Sequence, residues 1–354
     1  MKKALKSVLA LSLAIMLVFA VVGCSSSSTE DQPATADQPA KDGDKAADGQ
    51  KYTIRIAHNQ QSDMGYGIGV AKLKEVLEEK VGDKVELQIF DNGVLGNERD
   101  VTEGLTLGTV DMAITSVGVS SNFEPTLAAI NLPFLVKNND HLKKIMDQDL
   151  MKPAYDNLLK NKNIRALGLY AQGFRMVASN KGAINTLDDF KGLKIRVPEA
   201  PLFLSAFKAL GANPTPIPWG EIYTSMQTHV VDAFENSPTV VYQYKLQEVI
   251  KYLSATNHIW EGGVIMISED FYKKLPEDIQ KALQEAVKVS VEHQHKAIEQ
   301  QTGEFLEKIK EAGVKYNEVD TAAMQHAVQS VYDEFIKQNP GAKDMIDKMI
   351  EAGK

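Results

Sequence analysis

The first stretch that the sequence predicts to be structured reads Tyr52-Thr-Ile-Arg-Ile-Ala-His-Asn59, and apolar and polar side chains alternate along it as in a β-strand. Residues 68–81 follow with apolar side chains at helical spacing, so that Val70, Leu73 and Leu77 share one face. The same order continues with predicted strands at 84–90, 110–115 and 164–170 and predicted helices at 98–107 and 141–159. This alternation predicts an α/β fold with a mostly parallel sheet and helices on both faces.

A second run of the same kind begins after residue 172. Predicted strands lie at 175–180, 193–197 and 231–235, and predicted helices lie at 202–210 and 221–230. Two α/β units in tandem predict a two-lobed molecule. We expect lobe 1 at 51–172, with about 262–300 returning to it, and lobe 2 at 173–261, with about 301–354 returning.

The C-terminal part is predicted to contain a long helix. Pro276 lies in its first turn, where proline is tolerated, and Glu277 and Asp278 follow as the acids that a helix start favours. The chain then has no proline or glycine before Gly303, and the helical pattern continues to about residue 312. A single helix of this length would extend along both lobes, and two helices broken near Gly303 are the alternative.

The composition excludes several classes of protein. The chain has 354 residues, is 44% hydrophobic and carries a net charge of −8. This predicts a globular protein and argues against a surface that wraps nucleic acid, which needs an excess of Lys and Arg. The single cysteine excludes a disulfide framework and a cysteine-based zinc site.

The N-terminus has the features of an export signal. Lysines at 2, 3 and 6 accompany the nearly unbroken apolar run 5–22, which ends in Val21-Val22-Gly23-Cys24. Those last residues resemble a bacterial lipobox, so residues 1–23 are predicted to be a lipoprotein signal peptide and Cys24 the lipidation site. An uncleaved membrane helix and a chance cysteine after an ordinary signal peptide are the alternatives.

Residues 24–50 have a different composition. Four serines follow the cysteine, and the rest consists mainly of Asp, Lys, Ala, Gln, Gly and Pro. Such a segment buries too little apolar surface to offset the entropy of ordering it, so we expect a flexible tether. A tether would hold a folded domain at the membrane while letting it turn, which suits a protein with a partner in the membrane.

Catalytic signatures are weak. Three glycines at 65, 67 and 69 follow the first strand, but the turn is too long and Val70 stands where a dinucleotide-binding motif needs its third glycine. His293 and His295 would face different directions on a helix, so we interpret them as solvated surface residues and predict no metal site. The sequence has neither a nucleophile elbow nor a phosphate loop, and it therefore predicts no cofactor and no enzymatic activity.

Three segments stand out, namely Gly173-Phe-Arg175-Met-Val-Ala-Ser-Asn180, Lys191-Gly-Leu-Lys-Ile-Arg196-Val-Pro198 and Val231-Asp-Ala-Phe-Glu-Asn236-Ser-Pro238. They resemble the signature regions of the solute receptors of tripartite ATP-independent periplasmic (TRAP) transporters, the DctP family. Further similar elements lie in order across roughly residues 52–260: Gly93-Val-Leu95-Gly96-Asn-Glu98-Arg99, Leu132-Pro-Phe134, and Gly211-Ala-Asn-Pro214-Thr-Pro216 with Glu221-Ile-Tyr223.

The resemblance implies a binding protein without enzymatic activity or cofactor. It implies two α/β lobes that close on an organic acid, a long helix packed along both lobes, and delivery of the solute to membrane permease subunits driven by an ion gradient. We therefore expect a monomer on the extracytoplasmic face of the bacterial cell membrane, held there by its N-terminal lipid.

The resemblance also implies which side chains bind the acid. Arg196 matches the family's main carboxylate-binding arginine, Arg175 matches a second one, and Asn236 matches the amide that contacts the same group. A planar guanidinium suits this role because it grips both carboxylate oxygens through two parallel hydrogen bonds. The alternative for Arg196 is a structural ion pair with Glu199 or Glu235.

Other matched positions lie at the ends of predicted strands or in loops, where α/β sheets bind ligands. They are Asn59, Glu98, Thr115, Ser116 and Trp219. Trp219 is expected to stack on the ligand, with packing at the lobe interface as the alternative. In this chain Ser237 and Pro238 follow Asn236, whereas in many members of the family proline follows the asparagine directly. We expect this difference to alter the hinge between the lobes.

The class of acid follows from the same positions. Glu98, Asn59, Ser116 and Trp219 favour a ligand with hydroxyl groups, because an ionised Glu98 accepts hydrogen bonds and repels a second carboxylate. The sequence therefore favours a sugar acid such as a hexuronate over a C4-dicarboxylate. A remote alternative is an exported enzyme acting on acidic sugars, with Glu98 and Glu235 as its acid and base.

Overall fold

The structure is a computed structural model that describes residues 51–354. The predicted signal peptide, the lipidation site Cys24 and the predicted tether lie outside the described residues, apart from the start of the fold at residue 51. Within this range the strands are β1 (Tyr52–His58), β2 (Val85–Phe90), β3 (Met112–Ser116), β4 (Ile164–Phe174), β5 (Met176–Ser179), β6 (Lys194–Val197), β7 (Asn213–Pro216), β8 (Ala233–Asn236), β9 (Tyr252–Ala255), β10 (Trp260–Ser268) and β11 (Lys315–Glu318).

Helices connect these strands and cover the sheets. The α-helices of the described range are α1 (Gly65–Val81), α2 (Glu98–Leu107), α3 (Val117–Ser120), α4 (Asn139–Asp147), α5 (Lys152–Lys162), α6 (Pro201–Ala209), α7 (Ile222–Gln227), α8 (Pro238–Gln243), α9 (Glu269–Tyr272), α10 (Glu277–Glu311), α11 (Ala322–Ala327), α12 (Gln329–Gln338) and α13 (Lys343–Ala352). No helix within residues 51–354 has the length and hydropathy that a membrane span needs.

The strands form two sheets, one in each lobe. The first has the order β2-β1-β3-β10-β4, and β10 alone runs antiparallel to its neighbours. The second has the order β11-β9-β5-β8-β6-β7, and here β5 alone runs against the others. The prediction of a two-lobed α/β fold with mostly parallel sheets is therefore confirmed.

The predicted single helix over 141–159 is wrong. The structure divides this segment into α4 and α5. Asp149 between them has a left-handed backbone with φ of 51°, which no α-helix accommodates, and Pro153 lies in the first turn of α5. The apolar spacing continues across the break because Leu142 and Ile145 of α4 and Ala154 and Leu158 of α5 all belong to the same hydrophobic core.

Helix α10 is continuous over 35 residues, so the alternative of two helices broken at Gly303 is wrong. At 1.5 Å per residue it is about 52 Å long. It packs against α1 and β4 of the first lobe and against α8 of the second. This long helix therefore spans both lobes, as predicted.

Polar side chains of α10 form hydrogen bonds with the backbone of β4, the last strand of the first sheet. Gln294 accepts a hydrogen bond from the backbone N–H of Ala171 at 2.8 Å and donates to its carbonyl at 2.7 Å. His295 lies 2.9 Å from the carbonyl of Leu169 through Nε2. Interpreting His295 as a solvated surface residue was therefore wrong, because its ring covers the unpaired backbone of the edge strand β4, whereas His293 is exposed.

The glycines after the first strand have a packing role. A Cβ on Gly69 would lie 2.4 Å from the ring of Tyr170, and one on Gly67 would lie 2.4 Å from the carbonyl oxygen of Gln61. Only glycine lets α1 approach the sheet and the preceding turn this closely. The glycine pattern that resembles a dinucleotide motif is thereby explained by helix packing.

Candidate functional site

A cavity of about 490 Å³ lies at the carboxyl ends of strands from both sheets. Asn59 follows β1, Arg196 lies near the end of β6, and Glu98 begins α2. Trp219 and Tyr244 complete the wall on the side of the second lobe. Open α/β sheets bind ligands in this position because loops and strand ends from separate units converge there.

A smaller space of about 30 Å³, which we term the inner chamber, adjoins this cavity. Both spaces are lined by Glu98, Arg196 and Trp219, among others. The side chains that line only the inner chamber include Tyr66, Ser116, Gln172, Arg175, Asn236 and Glu261. The chamber is therefore the deep, strongly polar end of the cavity.

Arg196 is a buried cation without an acidic partner among residues 51–354. Its side chain is buried, and its Nε donates to the carbonyl of Ile217 at 2.8 Å. No carboxylate of the described range lies within 4.0 Å of it, so the predicted alternative of an ion pair with Glu199 or Glu235 is wrong. Burial lowers the pKa of Arg196 to about 10, which still leaves it charged at neutral pH.

Arg175 is buried as well, but in contrast to Arg196 it is paired with an acid of the protein. It forms a bidentate ion pair with Glu235, in which Nη2 lies 2.7 Å from Oε1, and it also donates to the Glu235 backbone carbonyl at 2.8 Å. His258 lies 3.2 Å from the same carboxylate. Burial alone would lower the pKa of Arg175, but the charge and hydrogen bonds of Glu235 outweigh it and raise that pKa.

Asn236 is oriented by the same group of residues. Its Oδ1 accepts hydrogen bonds from Arg175 Nη1 at 3.3 Å and from the backbone N–H of Ser237 at 2.9 Å. Since two donors occupy Oδ1, the NH₂ group of this amide is the part left to donate into the inner chamber.

The start of α2 places Glu98 at the cavity. The Asn97 side chain caps this helix, and the Glu98 carboxylate accepts hydrogen bonds from the backbone N–H of Ser116 at 2.7 Å and its hydroxyl at 2.8 Å. Burial raises the pKa of Glu98 although both hydrogen bonds oppose this. Thr115 lies away from both spaces, because its buried hydroxyl packs 2.8 Å from that of Ser120. Its prediction as a ligand contact is therefore not supported.

Aromatic side chains form the wall of the second lobe. The rings of Trp219 and Tyr244 meet edge to face with centroids 4.8 Å apart, and the Arg196 guanidinium lies 5.9 Å from the Trp219 ring centroid. The Tyr244 hydroxyl donates to the backbone carbonyl of Asn59 at 3.0 Å. Trp219 thus both lines the cavity and packs at the interface, so the two predicted roles are not exclusive.

Two residues that line the site, Tyr244 and Glu261, were not predicted from the sequence. Glu261 lies on β10 in the run Ile259-Trp-Glu261-Gly-Gly-Val-Ile-Met-Ile267. A single acid in an otherwise apolar strand indicates a functional residue, because burying a charge is unfavourable and such acids are found mainly at binding or catalytic sites. Burial raises the pKa of Glu261 to about 7, although Arg175 opposes the shift.

No cluster of side chains within residues 51–354 has the composition of a metal site. The two acids named for an exported enzyme both have partners within the protein, since Arg175 and His258 contact Glu235 and Ser116 contacts Glu98.

Residues 56–339 match the family model DctP, described as bacterial extracellular solute-binding protein, family 7. The chain belongs to this family. Among curated DctP-type relatives, the 2,3-diketo-L-gulonate-binding periplasmic protein YiaO of Escherichia coli K12 is 29% identical over 304 residues, which is 84% of this chain and 92% of YiaO.

Solved TRAP solute-binding proteins have the same fold. One from Sulfitobacter sp. NAS-14.1, with bound β-D-galacturonate, has a TM-score of 0.81 and 30% identity, over 84% of this chain and 99% of its own. Another from Sulfurospirillum deleyianum, with bound succinate, has a TM-score of 0.77 and 29% identity, over 85% and 99%. The protein is a solute-binding receptor of the TRAP type.

Proposed function

We propose that the protein captures a carboxylated sugar acid of the hexuronate class and delivers it to the membrane subunits of a TRAP permease. The observation that carries the proposal is Arg196, a buried guanidinium that faces the cavity without an acid from the described residues. A buried cation is stable only with a compensating charge, and a ligand carboxylate would supply it through two parallel hydrogen bonds. The amide of Asn236 would donate to the same group.

The rest of the cavity favours hydroxyl groups over a second carboxylate. Uncharged amides and the acid Glu98 line it beyond the arginines, and Trp219 offers a ring face for an apolar sugar surface. The remaining lining cation, Arg99, lies at the exposed rim and already pairs with Glu103 at 3.1 Å. A C4-dicarboxylate is the second candidate, which the succinate-bound relative supports.

Anchoring is part of the proposal. Cys24 would carry the lipid, residues 24–50 would be the tether, and the receptor would act as a monomer at the extracytoplasmic face of the membrane. Support comes from the lipobox-like residues before Cys24 and from a family of extracellular solute-binding proteins. We also propose the lobe boundaries near residues 172 and 261, which the strand orders of the two sheets support.

Thermal unfolding with a panel of solutes tests the ligand class. We expect D-glucuronate and D-galacturonate at about 100 times Kd to stabilise the fold by about 2.7 kcal/mol, or roughly 5 °C in Tm, while neutral glucose gives no shift. If succinate is the only solute of the panel that raises Tm, the ligand is a C4-dicarboxylate and not a hexuronate. Absence of any shift across all the acids would overturn capture of carboxylated solutes.

A pair of matched variants tests the role of Arg196. Arg196→Lys keeps the charge but loses the planar fork, so we expect affinity to fall at least tenfold. Arg55→Lys is the control, because Arg55 pairs with Asp111 away from both cavities and its replacement should leave the ligand-induced shift unchanged. Equal ligand responses in the two variants would contradict the assignment.

A further inference from the structure

Of the two carboxylates that line the inner chamber, Glu98 belongs to the positions matched to the family, and Glu261 is used by neither that match nor the proposed carboxylate grip. It is fully buried on β10. Its Oε1 accepts hydrogen bonds from the backbone N–H of Gly262 at 3.1 Å and from the Asn131 amide at 3.4 Å. Its Oε2 has no hydrogen-bond partner in the described range and lies 4.0 Å from Arg175 Nη1.

Charged and titratable groups from several elements face Glu261. Arg175 reaches it from the end of β4, Glu235 from β8 and Glu98 from the start of α2, and the unpartnered Tyr66 hydroxyl on α1 lines the same chamber. Two guanidinium groups, those of Arg175 and Arg196, thus stand against three carboxylates. With all three acids ionised their sum is a net charge of about −1, so a ligand carboxylate pairs with Arg196 locally but makes the group as a whole more negative.

The neighbouring groups are poor acceptors for a compensating proton. Both oxygens of Glu235 lie against Arg175, whose charge holds the pKa of that carboxyl down even though burial would raise it. Both oxygens of Glu98 accept hydrogen bonds from Ser116. His258 has partners at both ring nitrogens, Thr256 and Glu235, and burial lowers its pKa. Among the carboxyl groups of residues 51–354, Glu261 alone has a buried oxygen without a hydrogen-bond partner.

We propose that capture of the acid is linked to uptake of one proton, which binds Oε2 of Glu261 when the ligand carboxylate binds beside Arg196. Hydronium or the acid form of the buffer donates the proton. The donor's O–H or N–H bond breaks as the O–H bond forms at Glu261, and water or the buffer base stays in solution. This inference rests on the proposed function, since it needs an anionic ligand in the cavity.

The direction of the pH effect follows from the pKa of about 7 for the unliganded protein. A bound anion raises that pKa further, because it makes the ionised form of Glu261 less favourable. Below about pH 6 Glu261 is already protonated, so affinity is independent of pH. Above about pH 7 the proton must be taken up on binding, and affinity falls by up to tenfold per pH unit.

Titration calorimetry of the purified wild-type protein with D-glucuronate tests the linkage. Measurement at pH 8 in phosphate, HEPES and Tris, which differ in ionisation enthalpy, gives the number of protons exchanged. We expect an uptake of one half to one proton per ligand at pH 8 and close to none at pH 5.5. An uptake near zero at both pH values overturns the proposal without any variant.

The variant Glu261→Gln locates the proton. The amide keeps the shape and the acceptor for Gly262 but cannot ionise, so we expect no proton uptake and affinity at pH 8.5 at least tenfold above wild type. Glu86→Gln, which removes a carboxylate on β2 outside both spaces, is the control and should retain the uptake. Uptake that persists in Glu261→Gln would assign the proton to another group, such as Glu98, and overturn the inference.

The two proposals fail in different ways. If no acid of the panel changes Tm or gives heat, the carboxylate receptor fails. If an acid binds with the same affinity from pH 6 to pH 8.5, the receptor stands and the proton linkage is wrong.

Discussion

Two arginines of similar burial have different tasks in this molecule. Arg175 lies in a bidentate contact with Glu235, whereas Arg196 makes one hydrogen bond to a backbone carbonyl and faces the cavity. A guanidinium that is paired with an acid of the protein contributes to the shape and the electrostatic field of the site. A guanidinium that has no acidic partner in the protein is available to bind a ligand carboxylate.

Replacement of each arginine by methionine should separate these tasks in the absence of ligand. Arg175→Met leaves Glu235 buried without its counter-ion, so we expect the free energy of unfolding to fall by about 3–5 kcal/mol. Arg196→Met removes a buried unpaired charge, so we expect a change within about 1 kcal/mol, or a gain. Urea denaturation measures both. Equal losses in the two variants would contradict the difference in roles.

Among the elements, α10 shows how far local sequence patterns extend. Its acidic first turn and its freedom from internal proline predict a helix, and it ends with Lys308 and Lys310 in the last turn, where cations are favourable. Gly303 does not interrupt it, because a single exposed glycine weakens a helix by only about 1 kcal/mol and packing along both lobes outweighs that.

Two helical glycines should respond oppositely to alanine. At Gly303 an added Cβ meets no atom within 4 Å, so we expect Gly303→Ala to stabilise the protein by about 0.5–1 kcal/mol. At Gly69 the Cβ would lie 2.4 Å from the Tyr170 ring, so Gly69→Ala should destabilise by about 1–3 kcal/mol. Thermal and urea unfolding of the two variants checks the signs. Stabilisation by both would show that α1 can move away from the sheet.

At the scale of the whole molecule, the lobes are joined across the cleft by hydrogen bonds as well as by chain crossings. The Tyr244 hydroxyl donates to the Asn59 carbonyl at 3.0 Å, and the Asn122 amide donates to the Glu199 carbonyl at 2.7 Å. Such contacts favour the arrangement in which both lobes contact one ligand.

Tyr244→Phe should therefore weaken ligand retention. The loss of one cross-lobe hydrogen bond of about 0.5–1.5 kcal/mol predicts a roughly 2- to 10-fold faster dissociation with little change in association. Stopped-flow fluorescence of Trp219, which packs against Tyr244, measures both rates. Tyr155→Phe is the control, since the buried Tyr155 hydroxyl has no partner among the described residues and lies outside the cavity. Equal acceleration in both variants would contradict the cross-lobe role.

Local sequence patterns predicted a large part of the fold and the receptor family. Alternation in β1, helical spacing in α1 and the proline-free run of α10 follow from the chain's own geometry, and the three arginine- and asparagine-bearing segments indicated the family. The break at Asp149 could not be predicted from local patterns. Its backbone is left-handed, and residues other than glycine adopt that conformation too rarely for their identity to predict it.

The amino-acid sequence alone thus determined the two-lobed α/β class, the long helix, the receptor family and the identity of Arg196, Arg175 and Asn236 as polar residues near strand ends. Only the tertiary structure decided that Glu235 pairs with Arg175, that Arg196 is left without an acid, and that Thr115 lies outside the cavity and Glu261 inside the chamber. The physical reason is range. Periodicity and capping act between neighbours along the chain, whereas ion pairing and the pKa of a buried acid depend on groups that are 60 residues or more apart in sequence, as Arg175 and Glu235 are, and meet only on folding.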